Sequence, residues 1–455
     1  MLIRNASVAL PGQDDFQKVD ILVVDGKFAQ VGVHLSGEGR EILDRKGMLV
    51  FPGAVDPHVH FDEPGFTHRE DFAHGSAEAA RGGVTTVIDM PCTSLPPVTD
   101  SKALAGKLEI VRTKAHIDFA FYGGLHGGMT PERIRANVRE LAPYVAGFKC
   151  YFVSGMDSFP AVGDEQFKAA IQACAEAGRP LLLHAESQAV IAAAGAALAA
   201  RRGSGAPRWQ DYYLSRPMGA EIAACEKALD LAGTDANWLH IVHVGTAEAA
   251  SMAASAGATC ETCAHYLAFD ETDFETLGAA LKTAPPVKEV SQKALLWKLL
   301  SGGAISFVAS DHAGAPASEK FTGNPLTVYG GIPGTGTLFP YLLSEGLFAK
   351  RLGLQKFLEV TSTAAARRYG LFDRKGSIAV GKDADFVIVD PERASLLDPE
   401  AMLSKSSITP FAGMRFSGKI EETYLRGRAI FGKTISGESR IETTPGSGEF
   451  IKRGL

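Results

Sequence analysis

The chain has 455 residues, 45% of them hydrophobic and 22% charged, which suits one large domain with a satellite and an ordinary globular composition. Its formal net charge is -6, with both signs mixed along the chain. That leaves no basic footprint for nucleic acid and argues against a polyanionic substrate.

In chain order, the N-terminus shows no charged start followed by an apolar stretch, so no signal peptide is expected. Residues 2–50 and about 375–435 carry short alternating strands with glycine turns, for example at 19–24, 384–389 and 422–425. The two ends are expected to combine into one small β-sandwich, residues 1–51 and 372–455. Between them, residues 52–371 repeat an alternation of apolar strand, polar loop and amphipathic helix. One unit is clear at residues 164–184. Asp164 is placed to cap a helix whose Phe167, Ile171 and Cys174 share a face, Gly178 and Pro180 stop it, and Leu181-Leu182-Leu183-His184 reads as a buried parallel strand. Eight such strands, ending near His60, Met90, Gly123, Cys150, His184, His243, Cys263 and Ser310, predict a (β/α)8 barrel.

The run at residues 189–200 is too short and alanine-rich to span a bilayer and reads as a packed helix, so no membrane partner is expected. The six cysteines suggest no disulfide framework in a chain of this size, and a cytoplasmic location follows. Cys260 and Cys263 lack the second pair that a structural zinc site needs, so burial is the better reading.

The chemistry lies at the strand ends. His58 and His60 are two apart on a strand and point to one face. Lys149, His184, His243 and Asp311 each end an apolar run. Alone, the lysine would snorkel, a histidine would be a satisfied core residue and the aspartate a helix cap. Together the six fall at the C-terminal ends of predicted barrel strands, where barrel active sites lie. They form a nitrogen and oxygen donor set suited to two divalent ions, with zinc the favoured identity. A desolvated, neutral Lys149 could take up carbon dioxide, and the carbamate would bridge the ions. Asp311 would be ligand and general base together. His312 should face the other way, and His240, three residues before His243, should face opposite to it in a structural role. His265 could line the pocket. Gly334-Thr335-Gly336 is an incomplete dinucleotide signal following no predicted strand and is set aside.

Pro52-Gly53 through His58-Val59-His60, Gly147-Phe148-Lys149, His184-Ala185-Glu186, His243-Val244, Ser310-Asp311-His312 and Gly381-Lys382-Asp383-Ala384-Asp385 together resemble the cyclic amidohydrolases, which include dihydroorotase, allantoinase and the hydantoinases. The resemblance runs over nearly the whole chain. It implies that His58, His60 and Asp311 hold one metal, that His184 and His243 hold the other, and that carboxylated Lys149 bridges them. Met90-Pro91-Cys92-Thr93-Ser94, Ser215-Arg216-Pro217 and residues 260–266 lean toward the allantoinase members, residues 118–124 and 311–314 toward an L-hydantoinase. The implied activity is opening of a cyclic amide or ureide ring, allantoin first and hydantoins or dihydroorotate after it. The implied assembly is a homodimer or homotetramer. Asp62, Cys92, Thr93, Ser94 and Gly331 are the expected substrate contacts. Asp62 and Cys92 replace the residues that bind a substrate carboxylate in dihydroorotase, so a neutral ring is expected. A scaffold protein of the same fold is the alternative from another class.

Overall fold

Eight short parallel strands, buried along nearly their whole length, run through the middle of the chain in the computed structural model, which describes residues 1–433 and 439–453. They are β1 (Ala54–Val59), β2 (Val84–Asp89), β3 (Asp118–Phe121, continued by Gly123–Gly124), β4 (Phe148–Tyr151), β5 (Leu181–His184), β6 (Leu239–Ile241), β7 (Thr259–Cys263) and β8 (Phe307–Ala309). Each pairs in parallel with the next. The ring closes where His60 N donates to His312 O at 2.7 Å beside a parallel bridge between Val59 and His312. With helices between the strands this is a (β/α)8 barrel, and the residues that follow the strands gather at one mouth.

Alternation sorts the strand residues, except that a register shift between Asp56 and Val59 exchanges the faces of β1. Val55, Ile88, Ala120, Tyr122, Leu182, Val242 and Phe307 form the barrel's inner core, while Val59, Val87, Phe148, Leu183, Ile241 and Val308 pack outward against the helices. Tyr122 crosses the interior to donate from its hydroxyl to Pro57 O at 2.8 Å. Tyr369 closes the base, 5.3 Å from Tyr122 and 5.9 Å from Phe307 between ring centroids.

The two ends of the chain share one sheet. Leu49–Pro52 lies antiparallel to Phe386–Leu396, which pairs with Arg415–Leu425, and parallel to Ser7–Val8. A second sheet of Lys27–Gly32, Asp20–Val24, Leu2–Arg4 and Ile42–Asp44 packs on it around Ile3, Ile21, Phe28, Val50, Phe386 and Ile388. The C-terminal tail then leaves this sandwich. Phe119 N donates to Glu449 O and Ile451 N to Phe119 O, so the tail pairs with the first half of β3.

Two local expectations need correction. The helix Asp164–Glu176 is capped by Gly163, whose N–H donates to Gln166 Oε1 at 2.7 Å, so Asp164 is its first residue and not its cap. The alanine-rich segment forms the helix Gln188–Arg202, but Leu198 is its one buried residue. Alanine's helix propensity forms it, and it lies on the surface in place of the packed position expected. Among the described residues no helix is long and apolar enough to cross a membrane.

Candidate active site

The barrel mouth collects the six residues singled out from the sequence. His58 and His60 share the inward face of β1 and its extension, with Val59 between them facing out. Their Nε2 atoms lie 3.2 and 3.4 Å from Asp311 Oδ1, and donor atoms of all three fall within 4.8 Å of one another. Across the mouth, His184 Nδ1 and His243 Nε2 are 3.0 Å apart. His58 and His243 join the two groups, with ring centroids 5.5 Å apart. Lys149 points inward from β4, its amine 4.9 Å from the Tyr151 ring centroid.

His240 departs from the expected geometry. Simple alternation would turn His243 away from His240, yet both are inside. His243 adopts a φ of 42°, a left-handed conformation that swings its ring into the mouth. His240 sits below it, stacked on Phe307 at 5.1 Å. Asp311 also has a positive φ, 48°, where β8 ends. Such conformations in non-glycine residues are costly, and they persist where the surroundings hold them.

Carboxylates stand behind two of the histidines. Glu261 of β7 bridges His58 Nδ1, at 2.5 Å, and His240 Nε2, at 3.2 Å. Glu186 accepts from His184 Nε2 at 3.0 Å and is gripped by Arg216 through Nε, at 3.1 Å, and through Nη2. Arg216 and the His184 contact hold the Glu186 carboxyl well below the usual range against the effect of burial, so it accepts and does not donate. That fixes the proton of His184 on Nε2 and leaves the Nδ1 lone pair facing His243.

The donor set fits divalent cations. Burial pushes His58, His184 and His243 below their ordinary range, giving neutral rings with free lone pairs. His58 Nε2, although 3.2 Å from Asp311 Oδ1, makes no aligned hydrogen bond, and Lys149 Nζ is buried with no hydrogen-bond partner among the described residues. Orphaned buried polar atoms in native folds call for an explanation, and a bound ion is one that accounts for both. His60 is raised to about 10, since burial is outweighed by Asp311 and Cys92; a cation between His60 and Asp311 would displace that proton.

A cavity of about 660 Å³ opens onto this cluster. Of the expected substrate contacts, Cys92, Thr93 and Gly331 line it. Cys92 Sγ lies 3.0 Å from the Tyr151 hydroxyl, and Thr93 Oγ1 3.3 Å from His60 Nδ1. Gly331 is needed for close approach, because a Cβ there would sit 2.3 Å from Ala313 O. Asp62 and Ser94 are not in the lining. Asp62 is wholly buried, and burial raises its carboxyl to about 7. Ser94 accepts from Lys107 Nζ at 2.6 Å and donates to Glu63 O, which turns it away from the cavity. His265 is likewise buried outside the lining, and burial lowers it to about 4. His312 faces outward against Phe61 and pairs with Glu70 at 3.1 Å.

The amidohydrolase family profile matches residues 49–430. The chain belongs to the amidohydrolase family. Over 448 residues, 96% of each chain, it is 38% identical to an allantoinase of Rubrobacter xylanophilus. An allantoinase of Solibacter usitatus is 39% identical over 90% of each chain. The structure is similar to the L-hydantoinase (dihydropyrimidinase) from Arthrobacter aurescens, with a TM-score of 0.91, 30% identity and 99% of both chains covered. Within this amidohydrolase, sequence reasoning missed Tyr151, Arg216 and Lys282 as cavity residues, and Glu186 and Glu261 as partners of the histidines. Glu186 was visible two residues after His184. Glu261 stands between Cys260 and Cys263, and nothing in that local pattern marks it as a histidine partner. Arg216 and Lys282 bring cations to the cavity from loops far from β1 and β2, where Asp62 and Cys92 leave none.

Proposed function

We propose that this amidohydrolase opens a cyclic ureide, with allantoin as substrate and allantoate as product. The observation that carries the reading is the convergence of His58, His60 and Asp311 with His184 and His243 at the mouth of one cavity, beside a buried, unpartnered Lys149 amine. The allantoinases to which the chain is similar supply the substrate class.

His58, His60 and Asp311 would hold one divalent ion, His184 and His243 the other, and the nitrogen and oxygen donors favour zinc. When bound, the ions would supply Lewis acidity toward water and the ring carbonyl. Burial lowers the Lys149 amine, which raises its neutral fraction. Carbon dioxide would add to the neutral Nζ with loss of one N–H proton to solvent, giving an anionic two-oxygen ligand. Asp311 would take a proton from the attacking water on its carboxylate and return it to the ring nitrogen as the carbon–nitrogen bond breaks. Glu186 and Glu261 hold the rings of His184 and His58 in place throughout. Residues 52–371 are the catalytic barrel of this reading and residues 1–51 and 372–455 its satellite. The six free, buried thiols suit a reducing, cytoplasmic compartment, and a homodimer or homotetramer is the expected assembly.

Hydantoin opening is the second reading, favoured by the likeness to the L-hydantoinase structure. A panel of allantoin, hydantoin, 5-substituted hydantoins, dihydrouracil and dihydroorotate with zinc-loaded protein separates the readings. The highest kcat/KM is expected for allantoin, and chelation should abolish it. Turnover undiminished in metal-free protein would defeat the proposal, as would the absence of any ring opening.

A further inference from the structure

Outside the histidine, lysine and aspartate cluster, two charged side chains line the cavity among the described residues, and both are cations: Arg216 and Lys282. Arg216 caps the helix Trp209–Ser215 in the insertion between β5 and β6, and Lys282 follows the short helical turn Gly278–Ala280 between β7 and β8. Tyr212 ties the two loops together. Its hydroxyl donates to Thr283 O at 2.6 Å, and Lys282 Nζ lies 4.4 Å from its ring centroid.

Both cations keep donors in reserve. Arg216 spends Nε and Nη2 on Glu186 and makes no hydrogen bond through Nη1 among the described residues. Lys282 donates one N–H to Val328 O at 2.7 Å and has no carboxylate partner within salt-bridge distance among the described residues. The Glu186 charge answers that of Arg216, while Lys282 carries a positive charge with no counterion. A buried cation without a counterion is costly unless something it meets accepts its remaining hydrogen bonds.

We propose that Arg216 and Lys282 form the subsite for the substituent of the ring, and that this subsite selects a substituent carrying an oxygen acceptor over an apolar one. The assignment rests on the ring-opening reading above and names what that reading leaves open. An exocyclic carbonyl oxygen would accept from Arg216 Nη1 and Lys282 Nζ. An alkyl group in the same place would cover two charged donors and satisfy neither. The loop cations thus take over a selection that Asp62 and Cys92 had been expected to govern from β1 and β2.

The test compares hydantoin, 5-methylhydantoin, allantoin and hydantoin-5-acetic acid on the wild type, Lys282→Met and Arg216→Lys. Two readouts are taken: kcat/KM with zinc-loaded protein, and equilibrium binding of each ring to the metal-free full chain by calorimetry. Wild type should favour allantoin over 5-methylhydantoin on the order of tenfold or more, the scale of charge-assisted hydrogen bonds. That ratio should fall toward one in Lys282→Met and fall partly in Arg216→Lys, which keeps a charge beside Glu186. A larger gain for hydantoin-5-acetic acid than for allantoin would also support the subsite and identify its acceptor as a carboxylate. Equal ratios in wild type and both variants would overturn it, as would wild type binding 5-methylhydantoin as tightly as allantoin. If no ring is opened by wild type, the functional reading fails while the binding ratios still decide the subsite. Should Lys282→Met not fold, Lys282→Gln carries the same comparison.

Discussion

Two buried clusters lie at opposite ends of the barrel, and each brings three acidic or imidazole donors close enough to hold a cation: His58, His60 and Asp311 at the mouth, Asp118, Asp383 and Asp385 at the base. The base cluster contains its own cation. Lys375 Nζ lies 2.5, 2.9 and 2.7 Å from the three carboxylates, with Arg426 on Asp118 and Arg374 on Asp383 besides. The mouth also holds a buried lysine, but the Lys149 amine meets no acceptor among the described residues. Burial alone pushes both ammoniums down. At Lys375 the three carboxylates reverse the direction, whereas at Lys149 burial prevails. The difference separates a joint from a site. Satisfied buried charge locks the start of β3 to the sandwich, while the mouth leaves buried donors without a partner among the described residues.

The sharpest way to break this comparison is at Asp311. If the mouth were only a satisfied joint like the base, Asp311→Asn would act on stability alone and leave turnover near normal. As ligand and proton carrier, Asp311 should be irreplaceable by asparagine. Steady-state kinetics on the folded variant should show kcat lowered by ~10²–10⁴-fold, the usual worth of a general base. The pH–rate profile should lose its acidic limb, which belongs to the coupled base and attacking water and not to one residue. Near-normal turnover in a folded Asp311→Asn protein would remove it from the mechanism.

The converse change sharpens the base. Lys375→Met removes the one cation that touches all three carboxylates and leaves buried charge uncompensated. Loss of one partner from such a cluster costs about 3–5 kcal/mol, so the denaturant midpoint should drop sharply. Metal content per folded chain should stay as in wild type, because among the described residues the side-chain partners of Lys375 are Asp118, Asp383 and Asp385 at the base. An unchanged midpoint would show that Arg374 and Arg426 suffice at the base. Loss of metal from the folded variant would show that the two ends are not independent.

What the sequence reveals divides along the same line. His58, His60, Lys149 and His184 were legible because strand alternation and an apolar lead-in fix both their depth and their direction. His243 was legible by position alone, since its left-handed φ is set by the turn it makes and not by its neighbours in sequence. The barrel was legible for a similar reason: its strands read as buried on both faces. The supporting partners were harder to see. Glu261 and Lys375 matter through residues on other strands, and pairings such as Glu261 with His58, 203 positions away, and Lys375 with Asp118, 257 away, leave no periodic trace. Arg216 and Lys282 reach the cavity from irregular segments whose paths depend on tertiary packing. Ser94 shows the opposite failure. It lies beside two cavity residues, yet one step along the chain turns it toward Lys107.

A third group, Glu70, Asp71 and His74, lies between the two extremes and gives the smallest effect. Asp71 caps the helix Phe72–Arg81: its Oδ1 accepts from His74 N at 2.9 Å and from His74 Nδ1 at 2.8 Å, while Oδ2 meets Lys405 Nζ at 2.6 Å. Burial works against ionisation, but Lys405 and the cap bonds win and hold the carboxyl down at about 2, from an ordinary 3.8. A folded-state value below the unfolded one means that the unfolded chain binds more protons as pH falls. The stabilisation is therefore fully present above pH 3.8 and is lost as pH falls through about 2. Solvent reaches both His74 and Lys405, so the charge contribution is well below what a fully buried pair would give. Asp71→Ala should cost about 1 kcal/mol at neutral pH, the ordinary worth of a cap. Asp71→Asn keeps an acceptor for the cap and loses only the charge, so its cost should be a fraction of that. Urea unfolding of wild type and Asp71→Asn in parallel from pH 7 to pH 2 isolates the difference from every other carboxylate. The gap should be constant down to about pH 4 and then close. A gap that persists unchanged to pH 2 would mean that Lys405 contributes packing and not charge, and that this group, like the base of the barrel, is a joint whose acids need no ion.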